Sequence, residues 1–292
     1  MTEGGLVPEG DTVWRTAERL HRVLAGREIV ESDLRWPGIA TADLTGRSTI
    51  EVVSRGKHLL HRIDGGLTLH SHLRMEGQWR IEATGTLKPG WRHLPDLRAL
   101  VAADEWTALG LRLGRLDLVD TRHEDRLVGH LGPDLLGPDW DPERAVENLA
   151  AAGAPIGAAL LDQHNLAGLG TLWTSEALFA LRLPPWTPAA DLGRSVLVEL
   201  VDRCRLMLDR GRRDVVQSTT GSRMRGETTY VHGRSGRPCR RCGATVRVAP
   251  IGEPTRERTM FYCPSCQGGL GPTDDGRPQR PLGSGGRSGR RA

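Results

Sequence analysis

The apolar positions near the start of the chain fall on one helical face. Val13, Ala17, Leu20 and Leu24 recur at three- and four-residue spacing ahead of Gly26, the pattern of an amphipathic helix stopped by glycine. Asp11 or Thr12 stands where either could cap it. Beyond this helix the period shortens toward two. Alternating or wholly apolar runs occupy 28–34, 49–53, 58–63, 67–73, 78–82, 97–102 and 115–119, with turn residues between them. Gly65-Gly66 marks a tight hairpin. Many short strands at near-regular spacing predict a β-sandwich with a helix at its start.

The second half returns to helical spacing. Residues 126–140, with glycine and proline concentrated in 131–137, read as a linker. Asp141-Pro142 then opens a helix with an N-cap followed by proline in the first turn. Residues 156–163, 172–181 and 188–209 continue the helical series, the last closed by Gly211. From Gly268 to Ala292 the chain is mostly Gly, Pro, Ser and Arg, which predicts a disordered basic tail. The expected class is α+β and multidomain. A β-sandwich domain over 7–125 is followed by a helical domain over 141–230, a metal ribbon over 231–267 and a tail over 268–292.

Length and composition narrow the chemistry. A chain of 292 residues with a formal charge of +4 has ample core and a mild attraction for polyanions. No apolar run reaches the roughly 18 residues of a membrane span, and no signal pattern precedes the first helix, so a soluble cytoplasmic protein is expected. Four of the five cysteines form two pairs, Cys239-x-x-Cys242 and Cys263-x-x-Cys266. Two such knuckles set four thiolates around one tetrahedral Zn2+, a closed structural site rather than a catalytic one. Cys204, inside a helical apolar pattern, reads as inert core.

Several short stretches carry possible chemistry. Pro8-Glu9 puts a carboxylate beside a proline, which is nucleophilic only as the first residue of a chain. Arg55-Gly56-Lys57 interrupts two strands and reads either as a solvated turn or as a phosphate clamp. Met75, between Arg74 and Glu76, is either a core residue or an apolar wedge for a base stack. Asn165, then Gly168-x-Gly170 and Thr171, lead into a helix whose N-terminal amides suit an anion. His61, His70 and His72 have no ligand-like company and read as structural.

These motifs, in this order, resemble the formamidopyrimidine-DNA glycosylase/endonuclease VIII family over residues 7–267. The resemblance rests on Pro8-Glu9-Gly10, Arg55-Gly56-Lys57, the stretch 161–173, Val231-His232-Gly233-Arg234 with Pro238-Cys239, and 258–267 around Arg258 and Cys263-Pro264-Ser265-Cys266. It implies a β-sandwich, a helix–two-turn–helix domain and a zinc finger, with damaged duplex DNA as partner. The implied chemistry is bifunctional. The Pro8 amine displaces a damaged base and forms a Schiff base, Glu9 shuttles protons, and Lys57 holds a phosphate. Arg55, Asn165, Gly168, Gly170, Thr171 and Arg258 would face the DNA backbone, and Met75 would fill the hole left by the base. A monomer suffices, on the nucleoid of a bacterial cytoplasm, with no organic cofactor.

Two departures refine the resemblance. Thr171 stands where the family usually carries asparagine. The arginine-arginine-phenylalanine loop of 8-oxoguanine enzymes is absent near 108–116, where Leu111-Arg112-Leu113-Gly114-Arg115 stands. With Arg74-Met75-Glu76-Gly77-Gln78-Trp79, this points to the endonuclease VIII branch and to oxidised pyrimidines. The implied mechanism also requires Pro8 to begin the mature chain, so residues 1–6 are expected to be a non-native leader. Were they retained, a DNA-binding protein without catalysis would be expected instead; an 8-oxoguanine or formamidopyrimidine glycosylase is the other alternative.

Overall fold

The computed structural model describes residues 8–281, which fall into two compact units divided between Trp140 and Asp141. The first begins with α1 (Gly10–Leu24), whose apolar stripe Val13, Ala17, Leu20 and Leu24 is buried as its periodicity requires. Glu9, rather than Asp11 or Thr12, stands at the N-cap, and its side chain makes no capping bond. Asp11 lies one residue inside the helix, fully buried, with Arg15 3.8 Å away.

Eight strands follow: β1 (Glu31–Leu34), β2 (Thr49–Arg55), β3 (His58–Ile63), β4 (Leu67–His72), β5 (Gln78–Ala83), β6 (Leu97–Ala102), β7 (Trp106–Leu111) and β8 (Arg115–Asp120). They make two four-stranded antiparallel sheets, ordered β1-β6-β7-β5 and β2-β3-β4-β8. The expected sandwich is therefore present, and the stripe of α1 joins Leu59, Leu69, Val101 and Ala108 in its core. Strand β7 escapes the sequence pattern because Thr107, Ala108 and Leu109 are all buried, so no alternation marks it. Gly110 belongs to the same packing, since a Cβ there would lie 2.6 Å from Leu113 and 3.2 Å from Trp79.

The stretch expected to be a linker is packed into this unit. It begins with the short helix α2 (Asp125–Val128), and Leu127, Leu131 and Leu135 are buried. Glycine and proline there shape an ordered loop instead of loosening one.

The second unit contains α3 (Pro142–Ala151), α4 (Ile156–Leu161), α5 (Thr171–Ala180) and α6 (Arg194–Arg213), then the antiparallel hairpin β9 (Arg247–Ile251) and β10 (Arg258–Tyr262). Asp141 caps α3 by accepting from the Arg144 amide at 3.0 Å, with Pro142 opening the helix. Helix α5 is buried almost all round and packs against α4, α6 and β10.

The tail requires a correction. Residues 268–281 are held against the hairpin by specific polar contacts, while 282–292 lie outside the described residues. The Asp274 carboxylate accepts from Arg247 through both Nε and Nη2 and from the Tyr262 hydroxyl at 2.6 Å. The Gln279 amide donates to the Val248 carbonyl and accepts from the Val248 N–H, both at 2.8 Å. Low apolar content suggested disorder, but directed hydrogen bonds secure this strap where hydrophobic burial would not.

Asp274→Ala is expected to destabilise the second unit by on the order of 2–3 kcal/mol, somewhat less than a fully buried pair would cost. The Arg247 guanidinium holds the Asp274 carboxyl down to about 2, against an ordinary 3.8. A depressed carboxyl stabilises the fold fully above its unfolded pKa, so the contribution is intact above about pH 4 and fades toward pH 2. Thermal melts of the parent and variant across that range measure both effects.

Candidate functional site

In the first unit the site begins at the N-terminus of α1. Pro8 is half-buried there. Glu9 is 1 % exposed, and its carbonyl accepts the first helical bond, from Val13 at 3.0 Å. The Glu9 carboxyl therefore sits at the positive end of a 15-residue helix. Helix α1 packs on β2 and β3, the two strands joined by Arg55-Gly56-Lys57.

That turn is anchored from the ordered loop that follows α2. Gly56 takes a left-handed φ of 57° and donates its N–H to Asp134 Oδ2 at 2.8 Å. The same carboxylate accepts the Leu136 N–H at 3.0 Å. Asp134 is 2 % exposed, and burial raises its carboxyl above the usual range despite the two amides. Arg55 is committed as well, to Asp139 at 3.1 Å and to the Gly132 carbonyl at 3.3 Å. The structure thus gives Arg55 a turn-bracing role. Lys57, half-buried, is the second cation of the turn. That charge is felt at His72, which burial and then Lys57 push down to about 4.

Met75 is 71 % exposed, which removes the core reading. It stands on a braced turn: Arg74 adopts φ 53°, the Gly114 N–H donates to the His72 carbonyl at 3.0 Å, and Glu76 lies 3.9 Å from Arg112. The connection from β7 to β8 comprises only Arg112, Leu113 and Gly114. His61 is structural as expected, buried with its Nε2 2.8 Å from Thr49 Oγ1. His70 and His72 instead gather around His58, at the start of β3.

In the second unit, Asn165 and Gly168 lie in the turns between α4 and α5. Asn165 Nδ2 donates to the Ala159 carbonyl at 2.9 Å. Gly168, at φ 108°, donates to Gln163 Oε1 at 3.1 Å, and Gln163 Nε2 in turn reaches the Leu161 and Leu169 carbonyls. Only Gly168 of the two glycines uses left-handed backbone; Gly170 is extended and sits at the N-cap of α5. Thr171 is the first helical residue, half-buried.

The same helix fastens the metal ribbon. The Ser175 hydroxyl accepts the Phe261 N–H at 3.3 Å. Glu176 accepts the backbone N–H groups of Tyr230, Val231 and His232 at 2.8–2.9 Å and the Thr219 hydroxyl. Arg258, exposed at the first position of β10, is therefore carried on a rigid mount. Neither Glu176 nor Asp134 was singled out from sequence. A single charged residue in the largely apolar run Leu172–Ala180 was the available signal for Glu176, and the Gly132-Pro133-Asp134 turn was the signal for Asp134.

The four knuckle cysteines converge, their sulfurs all within 4.8 Å of one another and Cys242 Sγ 3.5 Å from Cys263 Sγ. Around Zn2+ at about 2.3 Å, tetrahedral sulfurs stand about 3.8 Å apart, so the set fits a four-thiolate site. Burial pushes the Cys263 and Cys266 thiols up; a divalent cation would supply the charge that stabilises them as thiolates.

The comparisons with known proteins agree with this geometry. The family model described as the formamidopyrimidine-DNA glycosylase N-terminal domain matches residues 7–126, and that of the formamidopyrimidine-DNA glycosylase H2TH domain matches 131–221. The chain is 49 % identical to the probable endonuclease 8 2 of Streptomyces coelicolor, covering 93 % of this chain and 98 % of that one. It is 40 % identical to the DNA-(apurinic or apyrimidinic site) lyase Nei2 of Mycolicibacterium smegmatis, over 89 % of this chain and 99 % of that one. A solved structure of the Lactococcus lactis formamidopyrimidine-DNA glycosylase, bound to DNA containing an abasic site, superposes with a TM-score of 0.74 at 24 % identity, covering 89 % of this chain and 99 % of that one. Among the described residues, no helix is long and apolar enough to cross a membrane.

Asp134→Ala strands the buried Gly56 N–H and the part-buried Leu136 N–H and is expected to cost about 2–4 kcal/mol of stability in the first unit, read by denaturant unfolding. One zinc per chain is expected by elemental analysis. Its removal by a chelator should expose the ribbon to protease and weaken binding to duplex DNA, which a titration with labelled duplex measures.

Proposed function

The chain belongs to the formamidopyrimidine-DNA glycosylase/endonuclease VIII family, and on that premise we propose that it excises oxidised bases from duplex DNA and cleaves the resulting abasic site. The observation that carries this reading is the arrangement in the first unit. Pro8 and the buried Glu9 stand at the N-terminus of α1, and α1 packs on the two strands that present the Lys57 turn.

The chemistry follows from these groups. A chain-terminal amine titrates near pH 8, against roughly 10.4 for lysine, so more of it is neutral at pH 7. The positive end of α1 disfavours its protonation further. With the target nucleotide flipped out of the stack, the Pro8 nitrogen attacks the anomeric carbon. The bond to the base breaks, and the base leaves with the bonding electrons. Glu9 delivers a proton to the ring oxygen as the sugar opens, leaving an iminium on the open chain. The iminium acidifies the adjacent carbon, and successive eliminations release the 3′ and then the 5′ phosphate. Lys57 holds a backbone phosphate next to the lesion, Arg258 and the Asn165–Thr171 turns hold others, and the exposed Met75 enters the gap in the stack. The ribbon's metal is Zn2+, held by Cys239, Cys242, Cys263 and Cys266 in a purely structural role.

The lesion class is oxidised pyrimidines. The three-residue β7–β8 connection has no room for a long base-reading loop, and the Streptomyces coelicolor relative, 49 % identical, carries the name endonuclease 8 2. Pro8 acts only as the first residue of the active form.

Borohydride trapping on duplex DNA containing thymine glycol tests the reading. Protein beginning at Pro8 is expected to form a covalent adduct, and Pro8→Gly to lose most of it. Protein keeping residues ahead of Pro8 should bind the same duplex without an adduct. No adduct from a correctly started protein would refute the enzyme assignment.

A further inference from the structure

Three side chains on one face of the second sheet form a hydrogen-bonded line that the proposed chemistry does not use. Asp117 on β8 lies opposite His70 on β4, and His58 on β3 lies opposite His72 on β4. His70 Nδ1 is 2.8 Å from Asp117 Oδ2, and His70 Nε2 is 2.8 Å from His58 Nδ1. The two rings stack with centroids 5.0 Å apart. Arg115 Nε also donates to Asp117 Oδ2, at 2.8 Å.

The direction of the line follows from its end. Desolvation opposes the charge on Asp117, but hydrogen bonds from His70 and Arg115 hold its carboxyl below the usual range. An ionised carboxylate only accepts, so His70 donates through Nδ1 and offers the lone pair of Nε2. His58 Nδ1 must then carry the hydrogen. Burial keeps both rings neutral, with His58 pushed down to about 3 by burial and by the neighbouring His72, His70, His130 and Arg115. The cluster thus faces Lys57 and Arg74 as well as Arg115, with Glu124 and Asp117 as its acids, and adds no cation of its own.

We propose that Asp117, His70 and His58 are positioning residues for Lys57. The line fixes the His58 ring, and with it the backbone immediately after the lysine, just as Asp134 fixes the Gly56 amide immediately before it. A lysine stem is long and flexible. Pinning the chain on both sides restricts where its ammonium can meet a DNA phosphate. The inference rests on the reading of Lys57 as a phosphate ligand.

A double-mutant cycle tests it, using protein beginning at Pro8 and a duplex with a stable abasic-site analogue. Asp117→Asn presents an amide that cannot enforce the order of hydrogens, and His70→Phe removes the line while keeping an apolar ring-sized group in its buried place. Each is expected to weaken binding about 3- to 10-fold in the parent and by less than about 1.5-fold in a Lys57→Ala background, because the residues act through the lysine. Lys57→Ala itself should reduce the slope of log affinity against log salt by about 0.9. Nitrogen-15 spectra of the histidine rings should show His58 as the Nδ1–H tautomer in the parent and a mixture in Asp117→Asn. Asp117→Glu is expected to restore both the single tautomer and part of the affinity.

The outcomes separate the two readings. If Lys57→Ala leaves the salt slope unchanged, the phosphate role of Lys57 falls and the positioning role falls with it. If Lys57→Ala lowers the slope but Asp117→Asn and His70→Phe weaken binding equally with and without the lysine, only the positioning role is overturned.

Discussion

A buried carboxylate accepting backbone N–H groups from a distant segment is the interaction on which this structure depends. Glu176, in the middle of α5, accepts from three consecutive residues, Tyr230, Val231 and His232. Those amides have no strand or helix to satisfy them, and leaving them unpaired in the interior would cost far more than one ordinary hydrogen bond contributes. One side chain therefore decides where the ribbon begins relative to the helix. Asp134 does the same for Gly56 and Leu136. In the tail, Asp274 joins Arg247 and Tyr262. Acidic residues in this basic chain are spent on holding its own loops.

That use of acids explains how a modest formal charge of +4 is compatible with binding a polyanion. In the proposed reading the cations that meet a DNA backbone are individually mounted: Lys57 on an anchored turn, Arg258 on a hairpin fastened to α5. Others, such as Arg55, are absorbed in bracing. The histidine cluster fits the same economy. Neutral rings fill the space beside Lys57 without adding like charge.

The two units were legible in the sequence to different degrees. The stripe of α1, the Asp141-Pro142 helix start and the paired cysteine knuckles each rest on local spacing, and each appears where spacing placed it. Strand β7 did not register because a strand buried on both faces loses its alternation. The loop over 131–137 and the strap over 268–281 misled for the opposite reason. Their composition is that of flexible chain, and only partners elsewhere convert it to ordered structure. Met75 was ambiguous by residue type alone, and its exposure excludes the core reading.

The sequence by itself determined the kind of protein. An ordered set of motifs named a family, and CxxC spacing named a metal site, because both are encoded in residues close together along the chain. Tertiary structure decided how the charged side chains are held. Arg55 and Lys57 are two residues apart and look equivalent in sequence, yet one is tied to Asp139 while the other is pinned at its flanks. That distinction depends on residues some eighty positions away, brought near by the register of the sheet and by the burial of Asp134. Local pattern carries no record of such partners.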